Sequence, residues 1–193
     1  MKRVFLSLLL ALACTGCTCC SSAPLLAPEN AESRTLFQFS QKADLRGWKV
    51  ENDSAAGGHS TSRLFINEAG NAIFTGDLSG ENKETVPSVQ YSFSPIRVSD
   101  GQAIVLGLKG DGKRYQLRVE SGPKAPRAYV SDFETSGEWQ TIEISFASLR
   151  ALPGGDEADP PSFPAKTMSA IHLLAANGTP GSFQLEIDRI WLK

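Results

Sequence analysis

From residue 34 onward the chain is written in short alternating runs, with apolar side chains at every second position and Gly, Pro, Asn or Asp between the runs. The breaks recur at about 8–12 residues, the spacing of an all-β sandwich or barrel. Tyr115, Leu117 and Val119 alternate with Arg114, Gln116, Arg118 and Glu120, which predicts a strand with one buried and one wet face. The same alternation runs through Ile142, Ile144 and Phe146, through Ile104, Leu106 and Leu108, and through Val89, Tyr91 and Phe93. Near the C-terminus Phe183, Leu185 and Ile187 share a phase that then slips to Ile190 and Leu192, and a bulge near Asp188 would account for the slip. Further strands are expected over 35–39, 48–51, 62–66, 72–74, 128–133 and 170–175. About ten antiparallel strands are best buried as two packed sheets, so the expected fold is an all-β jelly-roll sandwich. Gly110-Asp111-Gly112 reads as a hairpin turn between the Ile104 and Tyr115 strands, and 152–166, with its four prolines and two glycines, as a long surface loop.

The N-terminus follows a different rule. Lys2 and Arg3 precede an apolar run over 4–13 that is too short to span a membrane, which needs about 20 residues. This is the form of an export signal. Small residues then lead into Cys14 and Cys17, and the segment resembles the lipobox of a bacterial lipoprotein, where cleavage falls just before a cysteine that receives lipid. Cys17, after Thr15 and Gly16, is the favoured attachment point; Cys14, after Ala11, Leu12 and Ala13, is the alternative. The expected organisation is a signal peptide over 1–16, a lipidated N-terminus and flexible tether over 17–33, and one β-sandwich domain over 34–193. More than one acyl chain gives a stable membrane anchor. The expected location is therefore the bacterial cell envelope, anchored on the periplasmic side.

Composition narrows the chemistry. With 19 Lys+Arg against 21 Asp+Glu and no basic cluster, the chain lacks the footprint of a nucleic-acid binder. All four cysteines fall between positions 14 and 20, which removes disulfides, thiol nucleophiles and Cys zinc sites from the domain. His59 and His172 are the only histidines, with no cysteine to complete a transition-metal set. His172, between Ile171 and Leu173, reads as a packed or edge residue. No phosphate-cradling loop is present, and no acidic pair stands out for glycoside hydrolysis. No metal, cofactor or catalytic residue is expected. Trp48, Trp139 and Trp191 lie in strands, where burial is the usual use of a large aromatic body; a sugar platform is the other.

Several motifs then fall into one order: Trp48, Asn52, Asp53, Gly57, Gly58 and Ser60; Phe74, Gly76, Ser79, Glu81, Asn82, Ser88 and Val89; the run Gly110 to Tyr115; Tyr129, Phe133, Thr135, Trp139 and Phe146; and Gly181, Phe183, Leu185, Glu186, Ile187 and Ile190. In this order the chain resembles the complex I intermediate-associated protein 30 family. The resemblance implies a galactose-binding-like jelly roll and a chaperone-like role in assembling respiratory complex I, hence a protein partner. This sequence departs from the family at Ala56, where a Met is usual, and at Glu84, Thr85 and Val86, where the family continues into Gly-Gly-Phe. Glycines replaced by larger residues change the turn that can form there.

Asn52, Asp53, Glu81 and Asn82 are oxygen-bearing candidates for sugar hydroxyls or calcium, or else side chains that bond their own turns. Asp111 and Arg114 join them as ligand candidates. Arg114 and Arg118 point outward and suit an anionic partner or a solvated strand face. The expected function is a non-enzymatic envelope lipoprotein acting as a protein-interaction or assembly module, and the alternative is a carbohydrate-binding module of the envelope. Export separates this chain from the organelle interior where the family's mitochondrial members act.

Overall fold

Every alternating run of the sequence becomes a strand in the computed structural model, which describes residues 33–53, 57–80, 86–122, 127–152, 163, 166–176 and 178–193. The leader, both candidate lipidation cysteines, the tether to residue 32, Ala56 and the stretch 81–85 with Glu81 and Asn82 lie outside these residues. The strands are β1 (Arg34–Gln38), β2 (Trp48–Glu51), β3 (Thr61–Ile66), β4 (Ala72–Leu78), β5 (Ser88–Arg97), β6 (Ala103–Lys109), β7 (Arg114–Ser121), β8 (Ala128–Glu134), β9 (Trp139–Ser145), β10 (Arg150–Ala151), β11 (Thr167–Leu174) and β12 (Gly181–Leu192). One sheet has the order β3-β4-β12-β6-β9, with β1 also paired to β12; the other runs β10-β8-β7-β11-β5-β2. All pairings are antiparallel. This is the jelly-roll sandwich the alternation predicts.

Strand β12 organises the first sheet. Its first half pairs with β4 and its second half with β1, while its other edge holds β6. The register slips between Ile187 and Arg189, where the phase change in the sequence places it, so Phe183, Leu185, Ile187, Ile190 and Leu192 are all buried. A second slip falls between Met168 and Ala170 of β11, ahead of a stretch, Ala170 to Leu174, that is buried on both faces. Between the sheets Phe74, Phe183, Tyr115 and Phe133 form a connected aromatic column with ring centroids 4.9, 6.5 and 6.0 Å apart. Each such buried ring contributes about 1.5–3 kcal/mol relative to exposure.

Two connections differ from expectation. Gly110-Asp111-Gly112 is not a hairpin: β6 belongs to the first sheet and β7 to the second, so the segment carries the chain across the sandwich. Asp111 fixes the crossing. Its carboxylate accepts from the Tyr115 hydroxyl at 2.9 Å and from the Gln184 backbone N–H at 3.1 Å, while Thr135 Oγ1 accepts from the Gly112 N–H at 3.1 Å and donates to the Lys113 carbonyl at 2.8 Å. The second difference is in 152–166. Most of it lies outside the described residues, but Phe163 is buried, with its ring 4.8 Å from that of Tyr129 and 5.0 Å from that of Phe146. At that position the segment belongs to the core and not to the surface. The short strand β10 pairs with β8 just ahead of it.

The Asp111 clamp carries a test. Burial, with the Asp111 charge beside it, pushes the Tyr115 hydroxyl well above its ordinary pKa. Tyr115→Phe keeps the ring in the core but removes the bond to Asp111, and is expected to cost about 1–2 kcal/mol in urea-induced unfolding. Unchanged stability would show that the clamp is incidental.

Candidate functional site

The outward face of the second sheet is assembled from residues distant in sequence. Antiparallel register sets Arg150, Val130, Arg118, His172, Gln90 and Lys49 in one row across it, with Asp132, Gln116, Leu174, Ser88 and Glu51 in the next. The middle of this face is not solvated. His172, Leu174, Val130, Ala170 and Ser88 are all buried, although they point away from the core. At one end of it lies a recess of about 230 Å³. Gln116, Arg118 and Leu174 lie on its sheet side, Leu78, Gly80 and Val86 come from the β4–β5 side, and Ala176, Gly178 and Thr179 from the β11–β12 side.

Several polar and charged groups on this face are paired. Glu120 Oε1 lies 2.9 Å from His172 Nε2, Lys49 Nζ lies 2.6 Å from Glu51, and Asp132 accepts from Gln116 at 3.0 Å and pairs with Arg150 at 3.3 Å. Arg118 Nε is buried and has no hydrogen-bond partner among the described residues. Burial pulls the Arg118 pKa down, against the smaller opposing influence of Glu120 and Glu51. One buried donor of this cation thus lacks the hydrogen-bond partner that a buried polar atom normally finds.

The expected site residues fall in three places. Asn52 and Asp53 face their own turn: Asp53 is buried, with one carboxylate oxygen accepting from the Ser60 N–H at 2.9 Å and the other from Ser60 Oγ at 2.6 Å, and Ser60 Oγ accepts from the Ser79 N–H at 3.0 Å. Asn52 accepts from Ser62 Oγ at 2.6 Å. A Cβ on Gly58 would stand 2.2 Å from the Asp53 carboxyl carbon, which explains a glycine there. Since Ser60 lines the recess, this knot forms a support behind its wall. Asp111 is occupied in the sheet crossing, and Arg114 lies exposed at the end of β7 on the same outward face as Arg118. Glu81 and Asn82 lie outside the described residues. Among the described residues no group of three or more His, Cys, Asp or Glu side chains is placed to hold a metal.

Sequence reasoning named Arg118 as outward-facing, toward an anionic partner or a solvated strand face, and it passed over Gln116, Glu120 and Leu174 as site residues. Trp139 also differs from expectation. It is 48% exposed, out of phase with Ile142 and Ile144 on the edge strand β9, and that parity is itself readable in the sequence. On the outer face of the first sheet it borders a trough of about 280 Å³, floored by Gly107, beside Trp191 with the Arg189 guanidinium 4.2 Å above its ring.

His172 makes the second sheet sensitive to pH. Its pKa is lowered, by burial first and by Arg118, while Glu120 and Glu51 oppose the shift. The unfolded chain therefore binds this proton more tightly than the folded one. Stability is full above the ordinary value of 6.5 and is expected to fall as pH drops through it. Chemical denaturation between pH 7.5 and about 5 should show this decline, and His172→Gln should flatten it. An identical slope in the variant would assign the effect to other groups.

By fold the chain is a galactose-binding-like jelly roll of the kind seen in carbohydrate-binding modules. A family 11 module from Clostridium thermocellum, solved with a β-1,3-1,4-mixed-linked tetrasaccharide, aligns with a TM-score of 0.59 and 19% identity over 83% of this chain and 94% of that one. A family 29 module variant gives 0.53 and 13% over 84% and 92%. In sequence the family model for complex I intermediate-associated protein 30 matches residues 37–187, and the chain belongs to that family. The probable mitochondrial protein of that name from Caenorhabditis elegans is 24% identical over 182 residues, and its Mus musculus counterpart 24% over 184, each covering 82% of this chain. The chain spans about half the length of these relatives, 54% and 56% respectively.

Proposed function

We propose that this chain is a non-catalytic protein-interaction module that assists assembly of a membrane complex, exported and held at the cell envelope by lipid on Cys17. The observation that carries the reading is the family match across 37–187, whose named relatives are associated with complex I intermediates. The geometry supports it: the second sheet presents a sunken, mixed polar and apolar face, with a half-buried cation awaiting a partner. The relatives' names place them in mitochondria, whereas the basic-apolar-cysteine leader of this chain favours export, so the proposed partner is the outward-facing part of a membrane protein. Formaldehyde crosslinking in native envelopes followed by capture of the full chain should return the same membrane-protein partner in replicate preparations. Failure to return a reproducible protein would contradict the reading.

A second reading is glycan binding. It is favoured by the half-exposed Trp139 beside the Gly107-floored trough, since an exposed indole next to Gln140, Thr141 and Arg189 suits a sugar ring. Retention by cell-wall or plant glycans, lost in Trp139→Ala, would support it over the first.

A further inference from the structure

We infer that the recess at Arg118 is a carboxylate-binding pocket that takes an acidic side chain or the C-terminal carboxylate of a partner polypeptide. The inference rests on the protein-interaction reading and names the chemistry of its contact. Three observations carry it. First, Arg118 Nε is buried and unpartnered among the described residues, while the acids nearest it are engaged elsewhere: Glu120 with His172 and Glu51 with Lys49. Arg118 is only partly buried and lines the recess, and a planar guanidinium is the group best shaped for a carboxylate.

Second, the recess is partly apolar. Leu78, Val86, Leu174 and Ala176 line it with Arg118, alongside the polar Ser60, Gln116 and Thr179, so an acid flanked by aliphatic surface suits it. No aromatic ring is among the described lining residues, so the stacking surface a sugar ring would use is not offered by them, which favours a peptide over an acidic glycan. Third, the volume of about 230 Å³ is below the roughly 300–1,000 Å³ of small-molecule pockets and suits one or two side chains. Val86 contributes to this shape as an aliphatic wall on the β4–β5 side.

The Arg118 Nε–H, shielded from exchange, gives a direct reporter in ¹⁵N-correlated spectra of the full chain. The probes are N-acetyl-Leu-Glu-amide, the free acid N-acetyl-Leu-Gln, the neutral N-acetyl-Leu-Gln-amide and digalacturonate. A saturable shift of this signal with either acidic dipeptide, and none with the neutral one, is expected; which acid acts distinguishes a side-chain from a C-terminal carboxylate. No shift with either acid, an equal shift with the neutral peptide, or a shift with digalacturonate alone would overturn the proposal. Arg118→Gln should weaken the effective dipeptide at least about tenfold, with Arg118→Lys restoring part of the loss. In the envelope capture, equal yields from the Arg118→Gln and unaltered chains would sink the pocket while leaving the assembly reading in place. Capture of nothing by the unaltered chain would sink the assembly reading, whatever the dipeptides do.

Discussion

Gly76→Val is expected to destabilise the domain by about 3 kcal/mol, lowering Tm by roughly 6–12 °C. Gly76 sits in β4 opposite Ser62 of β3 and Phe183 of β12. A Cβ there would stand 1.9 Å from the Thr61 carbonyl oxygen and 2.8 Å from the Ser62 Cα. Both are backbone atoms, so no rotamer change relieves the clash and the edge strand β3 must peel away. Gly112→Ala is the control: its φ of +80° strains any other residue, but nothing lies within 4 Å, so only about 1–2 kcal/mol is expected. Thermal unfolding of both variants checks the contrast. Hydrogen exchange in Gly76→Val should show the loss of protection concentrated in β3. Equal shifts in the two variants would mean that close backbone approach is not what demands glycine at position 76.

Phe163→Ala is expected to cost about 3–5 kcal/mol, or roughly 6–20 °C in Tm. The residue lies inside a proline-rich segment that reads as exposed loop, where truncation would cost almost nothing. Its ring, however, is 4% exposed and packs against Tyr129 from β8 and Phe146 just beyond β9. Truncation would leave a cavity bordered by the Tyr129 ring of β8 and the Phe146 ring of the turn after β9, and β8 cannot collapse into it without breaking its own ladder. A loss below about 1 kcal/mol would return Phe163 to the surface.

These two cases mark what a sequence can and cannot disclose. Alternation is a property of neighbouring residues, so the strands, their inward faces and the slip at Asp188 were legible. Trp139 was legible too, since it shares the outward parity of Thr141 and Glu143, yet a general preference for burying tryptophan overrode that signal. The crossing at 110–112 was not. A short Gly-Asp-Gly link between two strands looks the same whether the second strand pairs with the first or joins the opposite sheet, and the bonds from Asp111 to Tyr115 and Gln184 that decide the matter appear only after folding. Phe163 was hidden for the same reason, as one apolar residue among prolines with partners in distant strands.

The site was less legible than the fold. Parity places Arg118 outward, but whether an outward face is wet or sunken depends on which strands lie beside it, and His172, Leu174 and Val86 reach Arg118's surroundings from remote parts of the chain. The oxygen-rich opening motif drew attention because its residue types suit ligands. In the fold Asp53 spends both carboxylate oxygens on Ser60, as a turn residue would.

The claim that the second sheet's outer face meets a protein partner is tested most directly by site-specific photo-crosslinking in living cells. A benzophenone side chain is placed at Gln90 on that face and, in a separate chain, at Thr141 on the outer face of the first sheet. The account predicts a discrete crosslinked membrane protein from position 90 and none from position 141. Adducts from position 141 alone, or none from either position while the chain remains folded and in the envelope, would contradict it.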